Sequence, residues 1–186
     1  MIVINNNGVT GEVVDDYMHE NIKDIGRFVL PVTRWLRVKN ALRYMTEGKR
    51  HLDIGCGDGY FLNLSWPDER IGLDKRAGDD IVDTLPFEDK YFDCVTVLAV
   101  LEHMHNLPAL FREVHRVLSL GGNFVFTTPR KSAEFLISLL VHNIDDEHEE
   151  YLDLKKVEDL SGNLFDLNKH KTFLFGLNQV FCLSKK

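Results

Sequence analysis

Cysteine is scarce and does not pair by pattern: Cys56, Cys94 and Cys182 are an odd three, with no Cys-x-x-Cys among them. A disulfide framework and the common zinc motifs are thereby excluded, and a reducing compartment fits. Positive charge is in deficit, with 22 Lys and Arg against 29 Asp and Glu for a net −7. Without a basic stripe, a nucleic-acid backbone is not expected as the main partner. No apolar run reaches the roughly 20 residues that span a bilayer. The start, Met1 to Ile4 and then three asparagines, lacks the basic region and long apolar core of a signal peptide. No membrane association is expected, and the cytoplasm is the expected location. Internal repeats and low-complexity tracts are also missing. What is there is 186 residues with 44% hydrophobic and 27% charged content. That is about one domain of an ordinary globular protein, with enough chain for a sizeable core.

The most informative stretch is Arg50 to Leu62. A short apolar run ends at Asp53-Ile54, glycines follow at 55, 57 and 59, and apolar residues resume at Tyr60. That order reads as strand, tight turn and helix start. Glycine permits positive φ and brings no Cβ between a ligand and the main chain. A helix start adds free N–H groups and a partial positive charge. A dinucleotide fingerprint would need Gly-x-Gly-x-x-Gly, and Tyr60 stands where its third glycine belongs. Asp53 and Asp58 flank the turn, so a pyrophosphate would meet two carboxylates, whereas a cationic ligand such as S-adenosylmethionine would be favoured.

The rest of the chain reads as alternating elements. Residues 1 to 15 are polar and expected to be poorly ordered. A helix from Asp16 to about Leu30 is expected to break at Pro31. A second helix then carries Trp35, Val38, Leu42 and Met45 on one face and stops at Gly48. These first 48 residues form either packing for the sheet edge or a lid over an acceptor pocket, and residues 49 to 186 form the main domain. Strand one is Arg50 to Ile54, and a short helix runs from Asp58 to about Leu64. Strand two is Arg70 to Asp74, and Asp74 lies 21 residues after Asp53. That is near the spacing at which nucleotide-binding folds place a ribose acid, and a carboxylate suits a cis-diol. Strand three is expected at Asp80-Ile81-Val82, which leaves no room for the usual crossover helix. Tyr91 to Leu98 is a strand covered on both faces. Asn106 caps a helix with Pro108 in its first turn, ending at Gly121-Gly122. Asn123 to Thr128 is strand five, Ser132 to Val141 a helix, and Leu154 to Leu160 another. The acidic run Asp145 to Glu150, which contains His148, reads as a solvated loop rather than a metal site. Thr172 to Phe175 and Gln179 to Leu183 form a hairpin.

The stretch Asp53-Ile54-Gly55-Cys56-Gly57-Asp58-Gly59 resembles motif I of class I S-adenosylmethionine-dependent methyltransferases. The resemblance continues through Asp74, Leu85-Pro86-Phe87, Phe92-Asp93, Leu101-Glu102-His103 and Arg116-Val117-Leu118 to Gly121-Gly122. It implies an α/β fold: a Rossmann-like three-layer sandwich around a mostly parallel, seven-stranded type of sheet that closes in an antiparallel carboxyl-terminal hairpin. In this chain the helix between strands two and three is trimmed. The implied cofactor is S-adenosyl-L-methionine, with Asp53, Gly55, Cys56, Gly57 and Tyr60 at the turn. Asp74 and Lys75 would meet the ribose side, Asp83, Thr84 and Leu85 the adenine, and Ala99 and His103 the far end. Asp80 competes with Asp83 for the adenine amino group. His103 is the candidate catalytic base as well as a pocket residue, with Glu102 and His105 beside it. Tyr17, His19 and Arg27 would meet the acceptor if the lid reading holds. A small-molecule or glycan-like methyl acceptor is expected, and no metal. A cofactor-binding partner without turnover and an NAD-dependent enzyme are the rival readings. Nothing in the chain sets its oligomeric state.

Overall fold

Among the described residues eight strands form a single sheet in the order β2-β1-β4-β3-β5-β6-β8-β7. The computed structural model describes residues 1–5, 8–11, 24–78, 84–133 and 151–186. Strands β3 (Arg50–Ile54), β4 (Glu69–Leu73), β5 (Phe92–Leu98) and β6 (Leu118–Pro129) run parallel and make the centre. β7 (Phe165–Phe173) and β8 (Asn178–Lys185) add the antiparallel hairpin beyond β6. β1 (Ile2–Asn5) and β2 (Gly8–Thr10) add a second hairpin at the opposite edge.

The central strands are apolar on both faces because helices cover them. Helix α1 (Asp24–Leu42) lies across β5, β6 and β8, burying Val38 and Ala41 against Cys94, Val125, Val180 and Cys182. On the other face, α3 (Leu107–Val117) sends Leu110, Phe111, Val114 and Val117 into the main core with Phe92, Phe124, Phe126 and Phe181. α2 (Tyr60–Leu64) and α4 (Leu154–Ser161) complete the described helices. Asn106 caps α3 as the sequence predicts, its side chain accepting from the Ala109 N–H at 3.2 Å.

Four expectations change. The amino end is ordered over Ile2–Asn5 and Gly8–Thr10: Ile2 and Ile4 are buried against Cys56 and Leu62, which pulls an alternating apolar pair into the sheet. β1 pairs antiparallel with β4 through Ile2↔Gly72 and Ile4↔Arg70, so both edges of β4 are filled, by β1 and β3. The place beside strand two assigned to Asp80-Ile81-Val82 is therefore taken by the amino-terminal strand. Residues 80 to 82 lie outside the described residues, as do Tyr17, His19, Asp83, His148 and the bulk of the expected 132–141 helix. Among the described residues β4 is followed by a 3₁₀ turn, Lys75–Ala77, ended by left-handed Gly78.

The second change is α1, one helix with Pro31 inside it rather than two helices. Proline removes one main-chain bond, but the loss falls at an exposed position, and the Thr33 hydroxyl donates to the Leu30 carbonyl at 2.8 Å. Packing of the downstream half holds the helix together across the gap. Third, α3 stops at Val117 and β6 begins at once, with a bulge opposite Phe92 and Cys94. The glycine pair at 121 and 122 lies inside the strand. Fourth, the carboxyl-terminal hairpin extends further from its turn than its apolar core indicated: β7 starts at Phe165 and stops at Phe173, and the residues it adds are largely polar and exposed, as befits an edge strand.

Candidate functional site

The carboxyl ends of β3, β4, β5 and β6 converge on one rim, the place where open α/β sheets hold ligands. There Gly55, Gly57 and Gly59 all adopt positive φ, at 78°, 55° and 75°. For Gly55 a second constraint acts: a Cβ would lie 2.3 Å from a methyl of Val100. The turn is pinned to β4, with the Gly55 and Cys56 N–H groups both donating to the Leu73 carbonyl at 2.7 and 3.0 Å. Gly72 in β4 makes room for this, since a Cβ there would meet the Cys56 sulfur at 2.6 Å. Cys56 is thus buried below the turn and presents main chain to the rim.

Each of the three acids has a distinct setting. Asp53 is 2% exposed and accepts a hydrogen bond from the Thr96 hydroxyl at 2.6 Å. Thr96 in turn meets His51 Nε2 at 2.8 Å, and His51 Nδ1 meets the Ser65 hydroxyl at 3.2 Å. This buried polar chain runs from α2 through β3 to the turn. Burial raises the Asp53 carboxyl to about 7, partly opposed by the Thr96 bond, and the nearby Asp74 adds to the rise. Burial lowers His51 to about 3, and Arg70 reinforces it. His51 is therefore a neutral core histidine.

Asp58 turns toward α1, where Arg34 pairs with it, and its Oδ1 also accepts from the Tyr60 N–H at 3.0 Å. The Arg34 guanidinium then lies 4.5 Å from the centre of the Tyr60 ring. Asp74 sits at the end of β4, 5% exposed. Its Oδ2 accepts from the Gly57 N–H at 2.8 Å and its Oδ1 from the Arg76 N–H at 3.0 Å. The Arg76 side chain adds two more bonds to the same carboxylate. Despite partial burial, these donors and the Arg76 charge keep Asp74 below the usual carboxylate range. Lys75 and Thr84 are exposed, and Leu85 is buried.

Ala99 closes β5 with φ 57°, an unusual value for a residue bearing a side chain, and its N–H donates to the Thr127 carbonyl at 2.9 Å. Strained main chain of this kind gathers at functional sites. The turn Leu101–His103 follows. It buries Glu102 and leaves His103 and His105 exposed. Arg27 is exposed on α1. Two other resemblance motifs hold the scaffold. Arg116 donates to the Leu85 and Phe87 carbonyls at 2.9 and 2.7 Å while pairing with Glu113 and Asp89. Asp93 accepts from the Lys49 and Arg50 N–H groups at 2.7 and 3.1 Å, fixing the entry to β3.

The sequence points to the turn and to Asp74, and the fold brings them together. It does not point to Arg34, Arg37, Arg76, the Thr96–His51 chain or the Ala99 conformation. The α1 arginines stand off the apolar face of their helix, which is the one signal they carry. Among the described residues no cluster of three His, Cys, Asp or Glu is placed to hold a metal. No described helix is long and apolar enough to cross a membrane.

A bare main-chain cradle bounded by Asp53 and Asp74 suits a cationic nucleoside better than a phosphate. Residues 32–161 match the methyltransferase domain family, and the chain belongs to it. Over 150 residues it is 29% identical to a sterol 4-C-methyltransferase, strm-1, of Caenorhabditis elegans, spanning 63% of this chain and 44% of that protein. A demethylmenaquinone methyltransferase of Roseiflexus castenholzii is 33% identical over 109 residues, 47% of this chain and 46% of that one. The chain thus spans less than half the length of these curated relatives. In fold it is similar to the methyltransferase solved in complex with the Trm112 methyltransferase activator of Haloferax volcanii. The TM-score is 0.66 at 16% identity, over 85% of this chain and 92% of the other. This is the Rossmann-like fold of S-adenosylmethionine-dependent methyltransferases, and family and fold imply S-adenosylmethionine as the cofactor.

Proposed function

We propose that the chain transfers a methyl group from S-adenosylmethionine to a small-molecule acceptor. The observation that carries the reading is the left-handed glycine turn locked against Asp74 at the carboxyl end of the parallel strands. Gly55, Cys56 and Gly57 present main chain to the methionine end of the cofactor, with Asp53 beneath and Tyr60 behind. Asp74 receives the ribose hydroxyls and Lys75 flanks them. Asp83, Thr84 and Leu85 border the adenine, and Ala99 and His103 border the sulfur end. The cofactor supplies a methyl group on an activated sulfonium. What the protein adds is alignment of the reactants and exclusion of water.

The sterol and quinone methyltransferases among the relatives support a small acceptor, as does the acidic balance of the chain. α1 acts as the lid: Arg34 ties it to the turn through Asp58 and Tyr60, and Arg37 brings it over the end of β8 by donating to Asn178 at 3.3 Å. Three buried cysteines that form no disulfide support a cytoplasmic location. Calorimetry with S-adenosylhomocysteine tests the reading. Wild type binds, and Asp74→Ala weakens binding by about 1–3 kcal/mol through lost charged hydrogen bonds. Equal affinity in both proteins would remove Asp74 from the site. Binding without product on any metabolite would favour a non-catalytic partner.

A further inference from the structure

Ser65, His51, Thr96 and Asp53 stand in a row that leads to the glycine turn, none of them more than 4% exposed. A hydroxyl has one proton to donate, and a neutral imidazole has one N–H and one bare nitrogen. Those counts allow the row two orders. With Asp53 ionised, Thr96 donates to Asp53 Oδ1 and must itself accept from His51 Nε2–H, which leaves Nδ1 to accept from the Ser65 hydroxyl. With Asp53 protonated, every bond reverses. Asp53 donates to Thr96, Thr96 to Nε2, Nδ1–H to Ser65, and Ser65 to the Leu62 carbonyl at 3.0 Å. Both orders satisfy every member, because the Leu62 carbonyl also accepts from Arg70 Nη1 at 3.2 Å when Ser65 turns away. A mixed order sets two lone pairs or two hydrogens face to face in the core. The Leu52 carbonyl, 3.5 Å from the Thr96 hydroxyl, is too far to hold its proton well. A change of charge at Asp53 therefore runs through to Ser65. Asp53 is the member that can change: burial lifts its carboxyl to about 7, Asp74 at the end of β4 adds to the rise, and Cys94 of β5 also faces it. Burial and Arg70 of β4 keep His51 neutral in both orders, and the Phe61 ring of α2 stands edge-on to it, 5.5 Å between centroids.

We propose that the cationic amino-acid end of the cofactor selects the ionised order, so that binding expels a proton from Asp53 and reverses the row as far as Ser65. This rests on the reading that the glycine turn holds S-adenosylmethionine with Asp53 beneath it. The ionised order holds one proton fewer: the ring proton passes from Nδ1 to Nε2, the two hydroxyls turn, and the proton left over goes to solvent. His51 and Thr96 are positioning residues. Thr96 keeps a donor on the Asp53 carboxylate, and His51 keeps the Thr96 proton pointed that way. The ligand's ammonium then meets a full negative charge under the turn rather than a neutral acid.

The test uses S-adenosylhomocysteine, which keeps the ammonium. Calorimetry in buffers of different ionisation enthalpy counts the protons released. Wild type is expected to release close to one proton on binding at pH 6 and almost none at pH 8, and to bind about tenfold more weakly at pH 6. Imidazole ¹⁵N resonances read the tautomer: at pH 6 His51 passes from Nδ1–H to Nε2–H when the ligand binds, and at pH 8 it is Nε2–H throughout. In Thr96→Val the tautomer no longer follows the ligand, and the pH midpoint of affinity rises by about one unit because Asp53 loses its donor. Thr96→Ser restores the wild-type midpoint. A Thr96→Val protein that melts lower but keeps the wild-type midpoint would mark a packing role and overturn the inference. Binding by wild type at pH 6 without proton release, or with the His51 tautomer unmoved, would overturn it without need of any variant. Failure of wild type to bind S-adenosylhomocysteine at either pH would sink the cofactor reading itself.

Discussion

Arg76 closes on Asp74 with both arms of its guanidinium, Nε to Oδ1 at 3.0 Å and Nη2 to Oδ2 at 3.1 Å. The main-chain N–H groups of Arg76 and Gly57 take one further position on each oxygen. A carboxylate offers about four acceptor positions. A ribose diol brings two donors, the number Arg76 contributes from its side chain. The cofactor and Arg76 therefore compete for the same two positions. Arg76→Ala is expected to tighten S-adenosylhomocysteine binding by about two- to fivefold, the scale of a half-exposed ion pair. Weaker binding by calorimetry would instead make Arg76 a direct contact of the ligand.

The buried chain under the turn sets a pH balance. Burial lifts Asp53 from the ordinary 3.8 to about 7 in the folded chain, so folding binds a proton there and stability falls as pH rises from about 4 to 7. His51 titrates near 3 against 6.5, so the unfolded chain holds the extra proton and stability rises with pH from about 3 to 6.5. The two slopes oppose one another at about 1.4 kcal/mol per pH unit each. Urea unfolding of wild type is expected to be nearly flat from these groups between pH 4 and 6.5. Asp53→Asn leaves the rising slope and His51→Gln the falling one. Parallel pH profiles in all three proteins would remove both groups from the linkage.

Arg116 stitches the Leu85-Pro86-Phe87 turn to α3 through two carbonyls and two carboxylates. Its Glu113 partner also accepts from the Leu85 N–H at 2.9 Å. Arg116→Met keeps the stem and strands all of these acceptors. A loss of about 2–4 kcal/mol in denaturant unfolding is expected, since charged hydrogen bonds of this kind are the strong ones. Arg116→Lys recovers only part of it, because an ammonium cannot span both carbonyls as a planar fork does.

Gly55→Ala carries two separable costs. Positive φ costs an alanine about 1–2 kcal/mol, and the new methyl collides with Val100. Adding Val100→Ala is expected to restore the steric part of the melting temperature and leave the conformational part. Full restoration would mean that φ at this turn imposes no cost.

Much of this was legible because it rests on local rules. Three glycines at alternate positions demand left-handed main chain whatever surrounds them, and Asn106 with Pro108 specifies a helix start on its own. What escaped depends on partners far away in sequence. Ile2 and Ile4 look like a short apolar patch before a polar tract, and only Cys56, Leu62 and β4 make them a strand. Pro31 reads as a break until the burial of Val38 and Ala41 is counted. The swing of Arg76 onto Asp74 and the left-handed Ala99 leave no trace in residue type, since each is set by neighbours in space.

Ile2 and Ile4 support the glycine turn from below, through Cys56 and Leu62. Trimming the first few residues by a protease would therefore loosen the nucleoside cradle while most of the hydrophobic interior stayed shut. A preparation nicked at its amino end would still look folded by circular dichroism, yet would grip its ligand poorly.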